Sequence, residues 1–316
     1  MKQVAFSILI LTGLFCPGQS TQKSRNLERV FADFEAETIE INQGEKVKFL
    51  DKSKGDPIYW NWSFEHGLPN RATISNPEIY YPKAGSYDVV VTVTDGKTYD
   101  TKVMKNYVKV KGLMHHFRFD GLVRDEVNLS LSLGLNKWSL TRDRKGASQR
   151  ALSLGPCLSL EMNQKPLVTN ELTASLWFRT VESSQENGVV LERFTEKDNQ
   201  VGFSLKMKEG KLYLEGADGS GEVRSSGLST NTVNDNQWHH ITAIITADSQ
   251  YQLWVDGALE ANTNYSYTIP ELENDGVLTL GYSLWSESTP LEGAIDDLKI
   301  FNKALNMQEV VELASH

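Results

Sequence analysis

The run Ile295-Asp296-Asp297-Leu298-Lys299-Ile300-Phe301 sets two adjacent carboxylates into a strand-like segment. With a period of two, Asp296 shares a face with Leu298 and Ile300, while Asp297 shares the other with Ile295, Lys299 and Phe301. One aspartate therefore falls on whichever face is buried, and an uncompensated buried carboxylate is costly. A bound cation relieves that cost, and carboxylate and carbonyl oxygens suit Ca²⁺. The alternative is an Asp296 that caps a loop or accepts backbone N–H bonds. The pairs His115-His116 and His239-His240 suggest a transition metal, but adjacent strand residues point to opposite faces. Neither pair can chelate one ion by itself, so structural roles are expected.

Sugar recognition needs aromatic rings beside hydrogen-bonding groups. Tyr282 and Trp285 in one turn-rich run, and Tyr265 with Tyr267 in another, are the candidate ligand contacts, and each can equally be packing. Arg144, with Arg142 beside it, can pair with an acidic sugar or simply occupy a surface turn. Trp177, Trp238 and Trp254 sit inside strand patterns and read as core. Catalytic signatures are missing: there is no Gly-x-Ser-x-Gly, no His-Glu-x-x-His and no glycine-rich phosphate loop. Glycoside hydrolysis requires paired carboxylates. Glu271-Leu272-Glu273-Asn274-Asp275 alternates acids, but Pro270 and the following Asp275-Gly276 mark a loop. No catalytic residue is expected.

These residues need a scaffold, and composition bounds it. The 316 residues carry 32 Lys and Arg against 41 Asp and Glu, a formal charge of −9, and 40% are hydrophobic. That is a globular composition of about two domains. An acidic chain lacks the basic face that phosphate neutralisation demands, so no nucleic acid is expected as a partner. Residues 1–20 read as a signal peptide: Lys2 precedes an apolar run over 4–15, and Gly18-Gln19-Ser20 offers small residues for cleavage. Its removal makes the mature chain one charge more negative. Cys16 allows a second possibility, lipid anchoring, although bulky Phe15 before it fits poorly. The other cysteine, Cys157, lies between leucines and reads as a small buried hydrophobe. No segment is long and apolar enough to span a bilayer. The expected location is therefore export to a bacterial periplasm, cell surface or medium, the lack of disulfides favouring a bacterial source.

Helical periodicity is nearly absent, whereas period-two runs recur at residues 87–93, 173–178, 202–207, 239–245 and 252–255. Asp95-Gly96, Glu209-Gly210, Asp256-Gly257 and Asp275-Gly276 supply hairpin turns. One strand ends at Lys109-Val110-Lys111-Gly112, where a new aromatic run begins. The domains are read as 30–111 and 113–316, with a linker short enough to limit their orientations. Asn306 with Glu309 three residues on predicts a capping box opening a short C-terminal helix. Met307, Val310 and Val311 are expected on its inner face.

Residues 30–111 resemble a PKD (polycystic kidney disease) domain. The carriers are Gly44-Glu45-Lys46-Val47-Lys48-Phe49, Tyr59-Trp60-Asn61-Trp62-Ser63-Phe64, Asn76-Pro77 and Gly85-Ser86-Tyr87 leading into Val89-Val90-Val91-Thr92-Val93. Trp62 and Phe64 alternate onto one face, and Tyr87, Val89, Val91 and Val93 are expected on an opposing one. The turn Glu65-His66-Gly67 departs from the family's Asp-rich form. The resemblance implies an Ig-like β-sandwich with a spacer role.

Residues 113–316 resemble a LamG-like jelly roll of the concanavalin A-like lectin/glucanase superfamily. Phe117-Arg118-Phe119-Asp120-Gly121, Asp143-Arg144-Lys145-Gly146, Thr173-Ala174-Ser175-Leu176-Trp177-Phe178, Gln237-Trp238-His239-His240 and the closing 293–305 run carry it in order. The resemblance implies an all-β chain of two sandwiches, and a structural Ca²⁺ held by Asp120 and Asp296. Catalytic relatives carry Glu-x-Asp-x-x-Glu, which is missing here. The expectation is a non-catalytic binding protein whose partner is a polysaccharide or glycoprotein. The rivals are a structural or adhesion module contacting other cell-surface proteins, and a glycoside hydrolase or lyase with an atypical site.

Overall fold

The computed structural model describes residues 29–129, 138–154, 158–160, 167–181, 188–195, 200–266, 272–274, 276–285 and 290–316. The segment read as a signal peptide, Cys16, Cys157 and Tyr267 lie outside the described residues. The fold is all-β, closed by one short helix.

The first domain holds β1 (Phe34–Ala36), β2 (Glu40–Asn42), β3 (Lys46–Asp51), β4 (Tyr59–Phe64), β5 (Arg71–Ala72), β6 (Glu78–Tyr80), β7 (Gly85–Thr94) and β8 (Tyr99–Lys111). They form a three-stranded sheet, β1-β3-β6, and a five-stranded sheet, β2-β8-β7-β4-β5. Trp62 and Phe64 lie directly beside Val91 and Val89 on the inner face of the same sheet. They were expected on opposing faces; alternation defines which face a residue takes but not which strand is its neighbour. The opposing wall is Phe34, Val47, Phe49 and Ile79. Trp62 is fully buried, 5.2 Å from Phe34 and 5.9 Å from Phe49 between ring centroids, and its indole N–H donates to the Ile74 carbonyl at 2.9 Å.

The second domain continues with β9 (Leu113–Phe117), β10 (Ser139–Thr141), β11 (Ala151–Leu154), β12 (Leu158–Leu160), β13 (Leu167–Thr169), β14 (Leu172–Thr180), β15 (Gly188–Phe194) and β16 (Val201–Lys208). Then come β17 (Lys211–Asp218), β18 (Val223–Ser225), β19 (His239–Ile245), β20 (Gln250–Val255), β21 (Ala258–Asn264), β22 (Leu272–Asn274), β23 (Leu278–Leu280), β24 (Gly293–Phe301) and α1 (Met307–Ala314). An eight-stranded sheet runs β10-β11-β24-β14-β19-β20-β21 with β9 also on β24, and a six-stranded sheet runs β12-β23-β15-β16-β17-β18. Leu176, Phe178, Ile241, Leu253 and Ile300 of the first meet Leu191, Leu205, Leu214 and Leu280 of the second in one core. The hairpins at Glu209-Gly210 and Asp256-Gly257 have positive φ at both turn residues (52° and 78°, 51° and 79°), the mirror-image turn that matches strand twist.

The capping box of α1 is present, with Asn306 Oδ1 accepting from Glu309 N and Glu309 Oε2 from Asn306 N. Of the three residues expected inside, only Val310 is buried; Met307 and Val311 face solvent. Val310 and Leu305 pack on Ile244 and Trp254, so the helix covers part of the eight-stranded sheet's outer face.

Gly112 alone separates β8 from β9, and Asn302 grips both sides of it. The Asn302 carboxamide accepts from Gly112 N at 2.8 Å and donates to the Val110 carbonyl at 2.9 Å, while Asn302 N donates to the Gly112 carbonyl at 3.2 Å. Asn302 is buried. Truncating it strands two linker groups, so Asn302→Ala is expected to cost about 2–4 kcal/mol in urea unfolding. Small-angle scattering should show a broader spread of domain orientations; an unchanged profile with unchanged stability would refute the clasp.

Candidate ligand-binding site

Alternation along β14 sends Leu176 and Phe178 into the core and Trp177 to the outer face, half-buried. Trp177 sits across from His240 on β19 and Asp296 on β24. Between Ser175 and Trp177 the register with β24 slips: Ser175 faces Lys299, yet Trp177 faces Asp296, so β24 carries one extra residue. Asp297 lies at this bulge with φ 52°. Ile295, Leu298 and Ile300 all reach the core, and both aspartates take the outer face. The expectation that one aspartate shares the face of the buried leucine fails, because a bulge breaks strict alternation.

The turn at Asp143 aims Arg144 at this face. Asp143 Oδ1 accepts from Lys145 N at 3.0 Å and Ala147 N at 2.7 Å. Arg144 Nη1 donates to Asp296 Oδ2, Nη2 donates to the His316 carbonyl at 3.1 Å, and the guanidinium lies 5.0 Å over the Trp177 ring. Asp297 bonds His116 Nε2 at 2.6 Å and Lys299 Nζ at 2.7 Å. The two neighbouring carboxylates consequently diverge. Burial, with Asp297 and Asp143 nearby, pushes Asp296 up to about 6 despite Arg144. Burial acts on Asp297 too, but hydrogen bonds and charge from His116 and Lys299 hold it well below the usual carboxylate range. Burial, reinforced by the charge of Lys299, lowers His240 to about 4; its Nε2 bonds the Ser175 hydroxyl at 3.0 Å.

Beside this network Arg144, Lys145, Trp177, Gln237, Trp238 and residues 314–316 line a pocket of about 400 Å³. Arg179 stacks 5.1 Å over Trp238. Neither Lys145 nor Arg179 forms an ion pair among the described residues.

Comparison with known proteins then places both halves. The PKD domain family matches residues 31–110, and the Laminin_G_3 family of the concanavalin A-like lectin/glucanases superfamily matches residues 158–311. The chain carries a PKD domain followed by a concanavalin A-like domain. No curated protein matches it. Among solved structures it is similar to the botulinum neurotoxin serotype D binding domain, with 15% identity, a TM-score of 0.52 and coverage of 64% of this chain and 51% of that one. The binding domain of Paraclostridial Mosquitocidal Protein 1 gives 16%, 0.51, 64% and 51%. The serotype G binding domain gives 13%, 0.50, 65% and 51%. At such identities the likeness is one of fold, and the chain spans about half the length of these structures.

Within the concanavalin A-like domain only Arg144 and Asp296 of the expected site residues come together. Asp120 pairs with Arg118 at 3.2 Å and Arg150 at 3.8 Å. Ca²⁺ takes six to eight oxygens, whereas the buried Asp296 carboxylate is already bound by a guanidinium. Among the described residues no three His, Cys, Asp or Glu side chains converge on one point. Asp120 and Asp296 therefore do not fit the ion as its ligands. Tyr265 is a packing residue: its hydroxyl accepts from Ser225 N and donates to Ser225 O, both at 3.0 Å, and its ring meets Tyr251 edge-on. Tyr282 packs against the core, and Trp285, half-buried, follows Ser283, which bonds Glu192 of the six-stranded sheet. Neither joins the Arg144 pocket. Trp254 is core, beneath α1, as expected. Trp177 and Trp238 were read as core and instead line the pocket; the period-two pattern that buries Leu176 and Phe178 already turns Trp177 outward.

Proposed function

We propose that the chain is an exported, non-catalytic binding protein. Its concanavalin A-like domain takes a polysaccharide or glycoprotein sugar in the Trp177–Trp238 pocket, and the PKD domain acts as spacer. The observation that carries this is a pocket with two half-buried tryptophans, each capped by an arginine, beside Lys145 and Gln237. Such a lining stacks on a sugar ring and offers cations to a carboxylate on it. One sugar acid suits the site better than a polyanion, since the chain as a whole is acidic. Fold relatives include botulinum neurotoxin DC binding domains in complex with SialylT and with rat synaptotagmin II, which supports a binding role. Among the described residues no helix is long and apolar enough to cross a membrane.

Calorimetry with sialyllactose, trigalacturonate and a neutral trisaccharide tests the site. At least one acidic sugar should bind, and Trp238→Ala or Trp177→Ala should each weaken it about tenfold or more, a loss of ~1.4 kcal/mol. No binding to any of the three, or undiminished binding by both variants, would refute the pocket. Reducing ends released from a polysaccharide would make the chain a hydrolase instead.

A further inference from the structure

At one end, the outer face of the five-stranded PKD sheet carries two rows of uncharged side chains that include two exposed tyrosines. Strand register places Tyr59, Thr94 and Tyr99 in one row across β4, β7 and β8, and Asn61, Thr92 and Thr101 in the next. The third row sets Ser63, Val90 and Val103 side by side, with Arg71 of β5 at its end. Tyr59 is 64% exposed and Tyr99 72%. No charged residue stands in the first two rows, although 23% of the chain is charged. Asp100 and Lys102 of β8 point the other way, Asp100 accepting from Ala32 N and Lys102 pairing with Asp33, while exposed Lys105 lies on the outer face beyond Val103. The side chains of Tyr59, Asn61 and Tyr99 make no hydrogen bond among the described residues, and Thr92 and Thr101 bond only each other, at 2.9 Å.

We infer that this face is a docking surface for a neutral, extended polysaccharide of equatorially linked rings, such as a β-1,4-glucan. The two tyrosines flank Thr94 and stand two strand spacings apart, about 9.5 Å. In such a chain each ring advances by about one strand spacing, and alternate rings present the same face. Tyr59 and Tyr99 therefore stack on alternate rings, while Asn61, Thr92 and Thr101 meet the hydroxyls along one edge. An uncharged ligand matches the uncharged first two rows, and the charges of this face, Arg71 and Lys105, stand beyond them. The inference is independent of the Trp177–Trp238 pocket and gives the spacer domain a site of its own.

The test is retention of the full chain on microcrystalline cellulose, with static light scattering alongside. The parent should be retained, Tyr59→Ala and Tyr99→Ala should each lower retention severalfold, and the double variant should abolish it. Both side chains are mostly in solvent, so melting curves should not move. Trp238→Ala should bind cellulose like the parent, which separates this face from the acidic-sugar pocket. A parent that is not retained, or a double variant retained like it, would overturn the inference. So would a parent dimer that the double variant converts to monomer, because the face would then join two copies of the chain.

Discussion

Arg144→Ala is expected to lower the free energy of unfolding by about 3–5 kcal/mol, the usual cost of removing one partner of a buried ion pair. Asp296 is 4% exposed and Arg144 is its cationic partner at the surface of the eight-stranded sheet. Lys299 and His116 are committed to Asp297. Deleting the guanidinium also uncovers one face of Trp177 and releases the His316 carbonyl. Urea denaturation at pH 7 measures the loss. The double variant Arg144→Met, Asp296→Leu should recover most of it, since replacing a whole buried pair by apolar groups is close to neutral. A single-variant loss below about 1 kcal/mol would show that water reaches and solvates Asp296.

The second large effect concerns pH. His240 has a folded-state pKa of about 4, below its ordinary 6.5, so the unfolded chain binds more protons in that window. Its contribution is complete above pH 6.5 and is lost as pH falls toward 4. Asp296 has the opposite sign: its pKa of about 6 lies above its ordinary 3.8, so its contribution is complete below 3.8 and is lost as pH rises through 6. Each amounts to something on the order of 3 kcal/mol. In the parent the two slopes oppose each other between pH 4 and 6, giving nearly flat stability from these groups. His240→Gln should unmask a gain in stability on acidification, and Asp296→Asn should unmask a loss. Urea midpoints measured from pH 7 to 4 check both, and parallel profiles for the two variants would contradict the opposed shifts.

Much of the architecture is legible from local patterns. Period-two runs announce the long strands, Asp-Gly and Glu-Gly pairs place hairpins, and Asn306 with Glu309 marks the start of α1, because each depends on residues close in the chain. The aromatic roles are harder to read. Tyr265 lies in the polar run Asn262-Thr263-Asn264-Tyr265-Ser266, yet its hydroxyl is held by Ser225, 40 residues away in sequence. Trp177 lies in a strongly β-forming run, yet faces outward beside a turn more than 30 residues earlier. Whether a ring is packing or platform depends on what lies over it, and that comes from distant segments.

The amino-acid order by itself determined an all-β chain, a PKD domain followed by a concanavalin A-like domain, and the lack of a Glu-x-Asp-x-x-Glu run. The fold class follows from composition and periodicity, and the families from the resemblance carried by contiguous motifs. Only the tertiary structure decided the chemistry of Asp296 and Asp297. One extra residue in β24 turns both carboxylates to the outer face, where Arg144 from one loop and His116 from another strand neutralise them. Alternation is a local rule, but a bulge is set by the partner strand, and a countercharge arrives only when the chain folds back.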